Sequence, residues 1–269
     1  MASVESWLDF ANNRRHSIFV RRILTMTQTS AAVEITLRIP GDWAHPREVV
    51  ERLPPGFRLT PEGLTFPDGR VVEVAPLPPD KQFAEIFRSS CRQPPTAREQ
   101  AVVGRYTVNM ALMGPGGSLD AARTMMQAAA AIIEAGAAGV FIDNSGVAHG
   151  GNTWLQLTED GGPDAMSFAF VSIIRGDHDA WTMGMHALGL PEISMRRADI
   201  EPGGNTIIEV LCYMCQSEKP VDKGHVLVLE HSTYHVIGKD EGEFDPGSPM
   251  HNPFGILKLL PAKDLAERN

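Results

Sequence analysis

The first candidate for a functional site is Asp143-Asn144-Ser145-Gly146, with His149-Gly150-Gly151-Asn152 and Trp154 close behind. Asp143 or His149 could serve as a general base and Ser145 as a nucleophile, while Asn144 and Trp154 offer ligand contacts. These residues fall just past the end of an apolar strand, where sheets in α/β arrangements tend to bind ligands. The G-x-S-x-G elbow of a hydrolase is absent, and the same residues also suit an Asx-turn followed by a glycine-rich loop.

A second candidate is Gly114-Pro115-Gly116-Gly117-Ser118. Set between a strand and a helix, the amides of Gly116, Gly117 and Ser118 could hold a small anionic ligand such as a phosphate or carboxylate. No Gly-Lys-Ser/Thr follows, and the loop does not match G-x-G-x-x-G with its usual acidic residue. A tight turn with a capping serine accounts for it equally. Histidine and aspartate supply further donors in His149, Asp177, His178, Asp179, His186, His231, His235 and His251. There is no H-E-x-x-H helix, and His231 and His235 share a strand face only if that strand is unbroken. The expectation is therefore no metal, with no cofactor identified and His186 kept as a fourth catalytic candidate. Cys212-Tyr213-Met214-Cys215 falls late in its helix, away from the amino-terminal position that activates thiols, so inert cysteines are expected.

Positioning these residues requires a strand, a long helix and a second strand between Arg105 and Ser145. Tyr106, Val108, Met110 and Leu112 alternate with Thr107, Asn109 and Ala111. The glycine run breaks that strand, Ser118 caps a helix reaching Ala135, and Gly136 ends it. Ala138 to Ile142 then forms the strand that opens into Asp143. Upstream, Val33, Ile35, Leu37 and Ile39 predict a strand stopping at Pro40-Gly41, followed by a helix from Pro46 to Leu53. Phe57–Thr60, Leu64–Phe66 and Val71–Val74 predict a meander joined by Pro-x-Gly turns. Ala75-Pro76-Leu77-Pro78-Pro79 predicts a connector outside the sheet, leading to helices over Asp80–Ser90 and from Thr96 to Val103.

Downstream, residues 147–157 predict a short helix or ordered loop. Phe168–Ile174 predicts a strand, with Trp181–Leu188 as its antiparallel partner and Glu192–Arg196 extended. Asn205 should cap a helix to Ser217, and Val226–Leu229, Tyr234–Ile237 and Phe254–Leu260 supply the last strands. The class is α+β: a mixed, mostly antiparallel sheet with a central strand-helix-strand crossover packed by helices. Residues 1–25 read as a disordered extension before a natural start at Met26. A small lobe over 26–93 and a main domain over 94–269 follow, or one continuous domain over 26–269.

The net charge of -9 argues against nucleic acid or an anionic membrane as the main partner. Three cysteines are too few to staple 269 residues and point to a reduced cytoplasmic setting. No apolar run approaches the length of a membrane span.

Two strings remain, Trp181 to Ile193 and His251-Asn252-Pro253-Phe254-Gly255. They resemble segments of uncharacterised bacterial α+β domains of unknown function, in which a G-[ML]-x-x-[LF]-G-x-P-E-[LI] stretch recurs. The resemblance implies a bacterial, cytosolic accessory protein and assigns no catalytic residue. Because no complete catalytic constellation is present, the leading expectation is a domain that binds a ligand or another protein. The alternatives are a metal-assisted or hydrolase-type enzyme near Asp143, Ser145 and His149, and a phosphate or nucleotide binder at Gly114–Ser118.

Overall fold

The computed structural model describes residues 33–200, 205–217, 219–229, 232–242 and 244–266. The extension at 1–25, the side chain of Asn205 as a cap, and His231 thus lie outside the described residues. Among the described residues, thirteen strands and eight α-helices form an α+β fold with two sheets.

The first sheet and its helices come from β1 (Glu34–Gly41), α1 (Pro46–Arg52), β2 (Arg58–Thr60), β3 (Gly63–Thr65), β4 (Val71–Leu77), α2 (Phe83–Ser90), α3 (Ala97–Val103), β5 (Val108–Pro115), α4 (Leu119–Glu134), β6 (Gly139–Ile142) and β7 (Val147–Gly150). Its order is β2-β3-β4-β5-β1-β6-β7, with antiparallel neighbours throughout. β1 alternates as expected, with Ile35, Leu37 and Ile39 fully buried and Thr36 and Arg38 partly exposed. Both β5 and β6 run antiparallel to β1, so they are parallel to each other with β1 between them. The predicted strand-helix-strand unit is therefore a crossover split by the first strand of the chain.

Helix α4 makes that crossover and is buried around most of its circumference. Its Ala122, Met125, Met126, Ala128, Ala129 and Ile132 have no exposed surface. Ser118 caps it as predicted, its side chain accepting from the Ala121 amide at 3.1 Å. The short alanine side chains let α4 sit closely between the first sheet and the elements that follow.

Those elements are α5 (Gly151–Asp160), α6 (Pro163–Phe170), β8 (Ser172–Arg175), β9 (Asp179–Met183), a 3-10 turn (Met185–Leu188), β10 (Glu192–Arg196), α7 (Asn205–Gln216), β11 (Val226–Val228), β12 (Thr233–Asp240), β13 (Ile256–Pro261) and α8 (Ala262–Ala266). The second sheet has the order β11-β12-β13-β10-β9-β8, with β10 and β13 its one parallel pair. One continuous apolar core includes residues of both sheets and of α4 to α7. No described helix is long and apolar enough to cross a membrane.

Several expectations need correction, among them the strand over Trp181–Leu188, which ends at Met183 because the left-handed Gly184 turns the chain into the 3-10 turn Met185–Leu188. Ala75 to Leu77 belong to β4 and pair with β5 from Ala111 to Asn109. β3 pairs only as far as Val72, so beyond it β4 is bonded on one side, and Pro76 is tolerated as on an edge strand. Gly114 and Pro115 continue β5 opposite Ile35 and Glu34, so the break comes two residues later. Val147 to Gly150 form a strand hairpinned to β6. Residues 168–170 end a helix begun by Pro163 at its first turn, because an apolar run this short cannot be told from a strand by periodicity.

Glu99 ties two helices together. Its carboxylate accepts from the Thr96 amide (2.6 Å) and hydroxyl (2.8 Å), completing a capping box for α3. The other oxygen accepts from the Asn152 amide in the first turn of α5 at 2.8 Å. Glu99→Ala should destabilise the protein by about 2–3 kcal/mol, because both helix ends lose an anionic partner. Urea unfolding should show a lower midpoint at unchanged m, with Glu99→Gln intermediate.

Candidate functional site

The outer face of the second sheet carries a cleft. Pairing aligns Trp181 with Ser194 and Ser194 with Lys258, and aligns Glu192 with Ile256 and Ile256 with Asp240. The alternate residues Ala180, Ile193, Met195, Leu257 and Leu259 face the core and are buried. Period-2 alternation thus leaves Trp181, Met183, Ser194 and Ile256 half-buried on the open side. Glu241, Gly242, Phe244, Met250 and Asn252 rim this face around a cleft of about 330 Å³. Asp179, Asp240 and Glu241 are exposed at its edges, with Phe244 and Met250 on the rim. Lys258 is the lining cation and is paired with Asp240 at 2.5 Å. A more open depression lined by Asp245, His251 and Phe254 adjoins it.

Under the cleft lies Glu192, 5 % exposed. Its Oε1 accepts from the amides of Gly184 and Met185 at 3.0 Å each and from Asn252 Nδ2 at 2.9 Å, and Oε2 accepts from the Thr182 hydroxyl at 2.7 Å. A buried carboxylate survives because these donors replace its water. Thr182 Oγ1 in turn accepts from the Ile193 amide, and Asn252 also donates to the Leu190 carbonyl. The two glycines of the string make this geometry accessible. Gly184 and Gly189 flank the 3-10 turn at φ of 109° and 82°, and a methyl group there would strike the carbonyls of Phe170 and Gly117, respectively. Glu192 and Asn252 were not singled out as functional by sequence. They do lie in the two strings, Trp181 to Ile193 and His251 to Gly255, that stand out in the sequence.

His186 and Asn144 join the same network. His186 Nδ1 lies 3.4 Å from Glu192 Oε1, and its Nε2 lies 3.0 Å from the Pro249 carbonyl and 3.2 Å from Asn144 Nδ2. Asn144 accepts from the Thr36 amide and donates to the carbonyls of Glu34 and Pro249. One buried asparagine therefore links the start of β1 to the rim of the cleft.

The other predicted residues lie elsewhere. Asp143 forms a two-pronged pair with Arg38 Nε, at 2.7 and 2.9 Å. Ser145 is buried in the β6–β7 turn, its hydroxyl without a described hydrogen-bond partner. His149, 1 % exposed, faces the Ala169 carbonyl through Nε2 at 2.9 Å; since that oxygen only accepts, Nε2 carries the proton and Nδ1 is left bare. Burial pushes its pKa down to about 4, with the Arg92 charge adding to the effect and the bond to Ala169 opposing it. Trp154 is fully buried beside His149 and donates to the Met126 carbonyl at 3.1 Å. Among the described residues no hydrogen bond joins Asp143, Ser145 and His149 to one another.

At the glycine loop, the Gly116 amide donates to the Val33 carbonyl and the Gly117 amide to that of Ala187. Ser118 is exposed with its hydroxyl engaged as the cap. No group of three or more His, Cys, Asp or Glu side chains is arranged to hold a metal among the described residues. Burial raises the thiols of Cys91 and Cys212 to about 11 and Cys215 to about 12, so all three stay protonated at neutral pH.

The chain matches no protein-family model, no curated protein and no solved structure.

Two outcomes follow from the buried groups. Glu192→Ala strands four donors and should cost about 3–5 kcal/mol in urea unfolding, with Glu192→Gln losing less. For His149, the unfolded chain takes up a proton near pH 6.5 and the folded chain only near pH 4. Stability is then lost as pH falls through that window, by up to about 3 kcal/mol. His149→Phe should remove this one-proton dependence when unfolding is compared at pH 7 and pH 4.5.

Proposed function

We propose that this protein is a cytoplasmic binding module that takes a cationic ligand with an apolar body in the cleft of its second sheet. The observation that carries this is the pairing of exposed carboxylates, Asp179, Asp240 and Glu241, with an apolar floor of Trp181, Met183 and Ile256. Carboxylates at the edges attract an amine or guanidinium, and an aromatic wall accepts both its apolar stem and its charge. The buried Glu192 supports the floor, because its acceptor positions are filled from within the protein.

A binding role is favoured over the alternatives by where the other candidates sit. Acyl-transfer chemistry needs a nucleophile in contact with its base, and Ser145 and His149 each turn to different surroundings. An anion at Gly114–Ser118 would compete with the carbonyls that hold the Gly116 and Gly117 amides. The partner that suits the cleft is therefore a cation rather than an anion.

Titrating the full chain with spermine and with phenethylamine, followed by thermal unfolding, tests this. At roughly ten times Kd the melting temperature should rise by about 3–5 °C. Asp240→Asn combined with Glu241→Gln should abolish the rise, and 0.5 M salt, on the order used to screen exposed charges, should weaken it. Equal shifts in the wild type and the double variant would overturn the assignment of the cleft.

A further inference from the structure

Resting on the reading of the cleft given above, we propose that its ligand is a dication, two positive groups joined by an apolar chain, with one group held at Asp179 and the other at Glu241.

Strand β12 supplies the first reason. Tyr234 and Val236 are buried on its core side, so an unbroken alternation would turn residues 238 and 240 inward as well. The pairing with β13 instead shifts by one residue between Val236 and Gly238. Such a bulge reverses the alternation beyond it, and Gly238 and Asp240 stand on the open side, opposite Lys258 and Ile256. A methyl group on Gly238 would lie 3.9 Å from Lys258 Cβ and Cδ, so the lysine stem runs beside the glycine while its ammonium meets Asp240 at 2.5 Å. One lining carboxylate is thus answered from within the protein.

The charges around the apolar strip still do not balance. Asp179, Asp240 and Glu241 are exposed carboxylates of the lining, and Lys258 is its ammonium. Among the described residues, neither the Asp179 nor the Glu241 side chain forms a hydrogen bond or an ion pair. The nearby cations are committed elsewhere: Arg196, opposite Asp179 in the β9–β10 register, pairs with Asp199 and Asp264, and Lys239 pairs with Asp222 at 3.7 Å. Two negative charges are left, one at either end of the strip.

Their separation sets the length of the ligand. Asp179 stands opposite Arg196, four residues from the row that aligns Glu192, Ile256 and Asp240, and Glu241 follows Asp240 at that far corner. With three interstrand gaps between β9 and β12, the diagonal is about 20 Å between Cα positions. A carboxylate and its hydrogen bond to an ammonium take up on the order of 5 Å at each end, which leaves about 10 Å for the chain between the charges. Trp181, Met183 and Ile256 line that path. Lys258 stands beside it and feels both ends, its pKa raised first by the hydrogen bond to Asp240 and least by the charge of Asp179.

The measurement is isothermal titration, at low ionic strength, of α,ω-diaminooctane and of octylamine into the full-length wild type, Asp179→Asn and Glu241→Gln. The two amines share one carbon chain and differ by one ammonium. An exposed ammonium–carboxylate pair is worth a factor of about five at most, so the diamine should bind the wild type up to about fivefold tighter than octylamine. Either substitution should bring the diamine down to the affinity of octylamine, which keeps one carboxylate and stays within about twofold of its wild-type value. The ratio of the two affinities is the readout, because a variant that merely folds less well weakens both amines alike. A ratio of one in the wild type, or a ratio that survives both substitutions, would overturn the two-ended ligand and leave a cleft that takes cations. Failure of both amines to bind the wild type would overturn the cleft itself, and the dication with it.

Discussion

A carboxylate with almost no access to water must be satisfied by the protein or it will unfold the protein, and Glu192 is satisfied by four donors from two stretches of chain, residues 182–185 and Asn252. Two amides of the 3-10 turn, the Thr182 hydroxyl and the Asn252 amide converge on it. That requirement dictates the left-handed glycines at 184 and 189, since a side chain at either would push the turn off its neighbours. It also fixes β10 against β9 and draws the 249–255 loop down over the sheet. His186 and Asn144 extend the same constraint to the edge of β1, so one polar network holds both sheets in register with each other. Low local dielectric strengthens each of these bonds and makes each omission costly.

The cleft is a by-product of this arrangement with chemistry of its own. Strand alternation places core residues on one side of β9, β10 and β13, and the drawn-down loop keeps the opposite side partly covered. What remains is an apolar strip between carboxylates. Other polar groups away from the cleft bond to the protein's own backbone. His149 and Arg92 both face carbonyls at the end of α6, where a helix leaves such groups unpaired. Glu99 does the corresponding work at the starts of α3 and α5.

Much of this architecture was legible along the chain. The alternation of Ile35, Leu37 and Ile39, the Ser118 cap, the Pro-x-Gly turns of the meander and the start of α7 at Asn205 all follow from local propensity. Legibility failed where an element is buried on every side or where an edge excuses a breaker. Val147 to Gly150 show no alternation because both faces are covered. Pro76 reads as a sheet breaker until β4 is seen to have only one partner there. Among the site candidates, Asn144 and His186 lie in the buried network around Glu192, a meeting that nothing in their local sequence announces.

By itself, the sequence determined the α+β class, most element positions, and the string Gly184 to Glu192 as a feature needing explanation. Backbone torsions, capping and hydrophobic period act over a few residues, and those are written locally. Tertiary structure alone decided that Glu192 would meet Asn252 across 60 positions and Asn144 would meet His186 across 42. It also separated Ser145 from His149, although they stand close in the chain. The physical reason is that a buried polar group takes whatever partner the packing of two sheets presents, and that partner is specified by topology rather than by sequence distance.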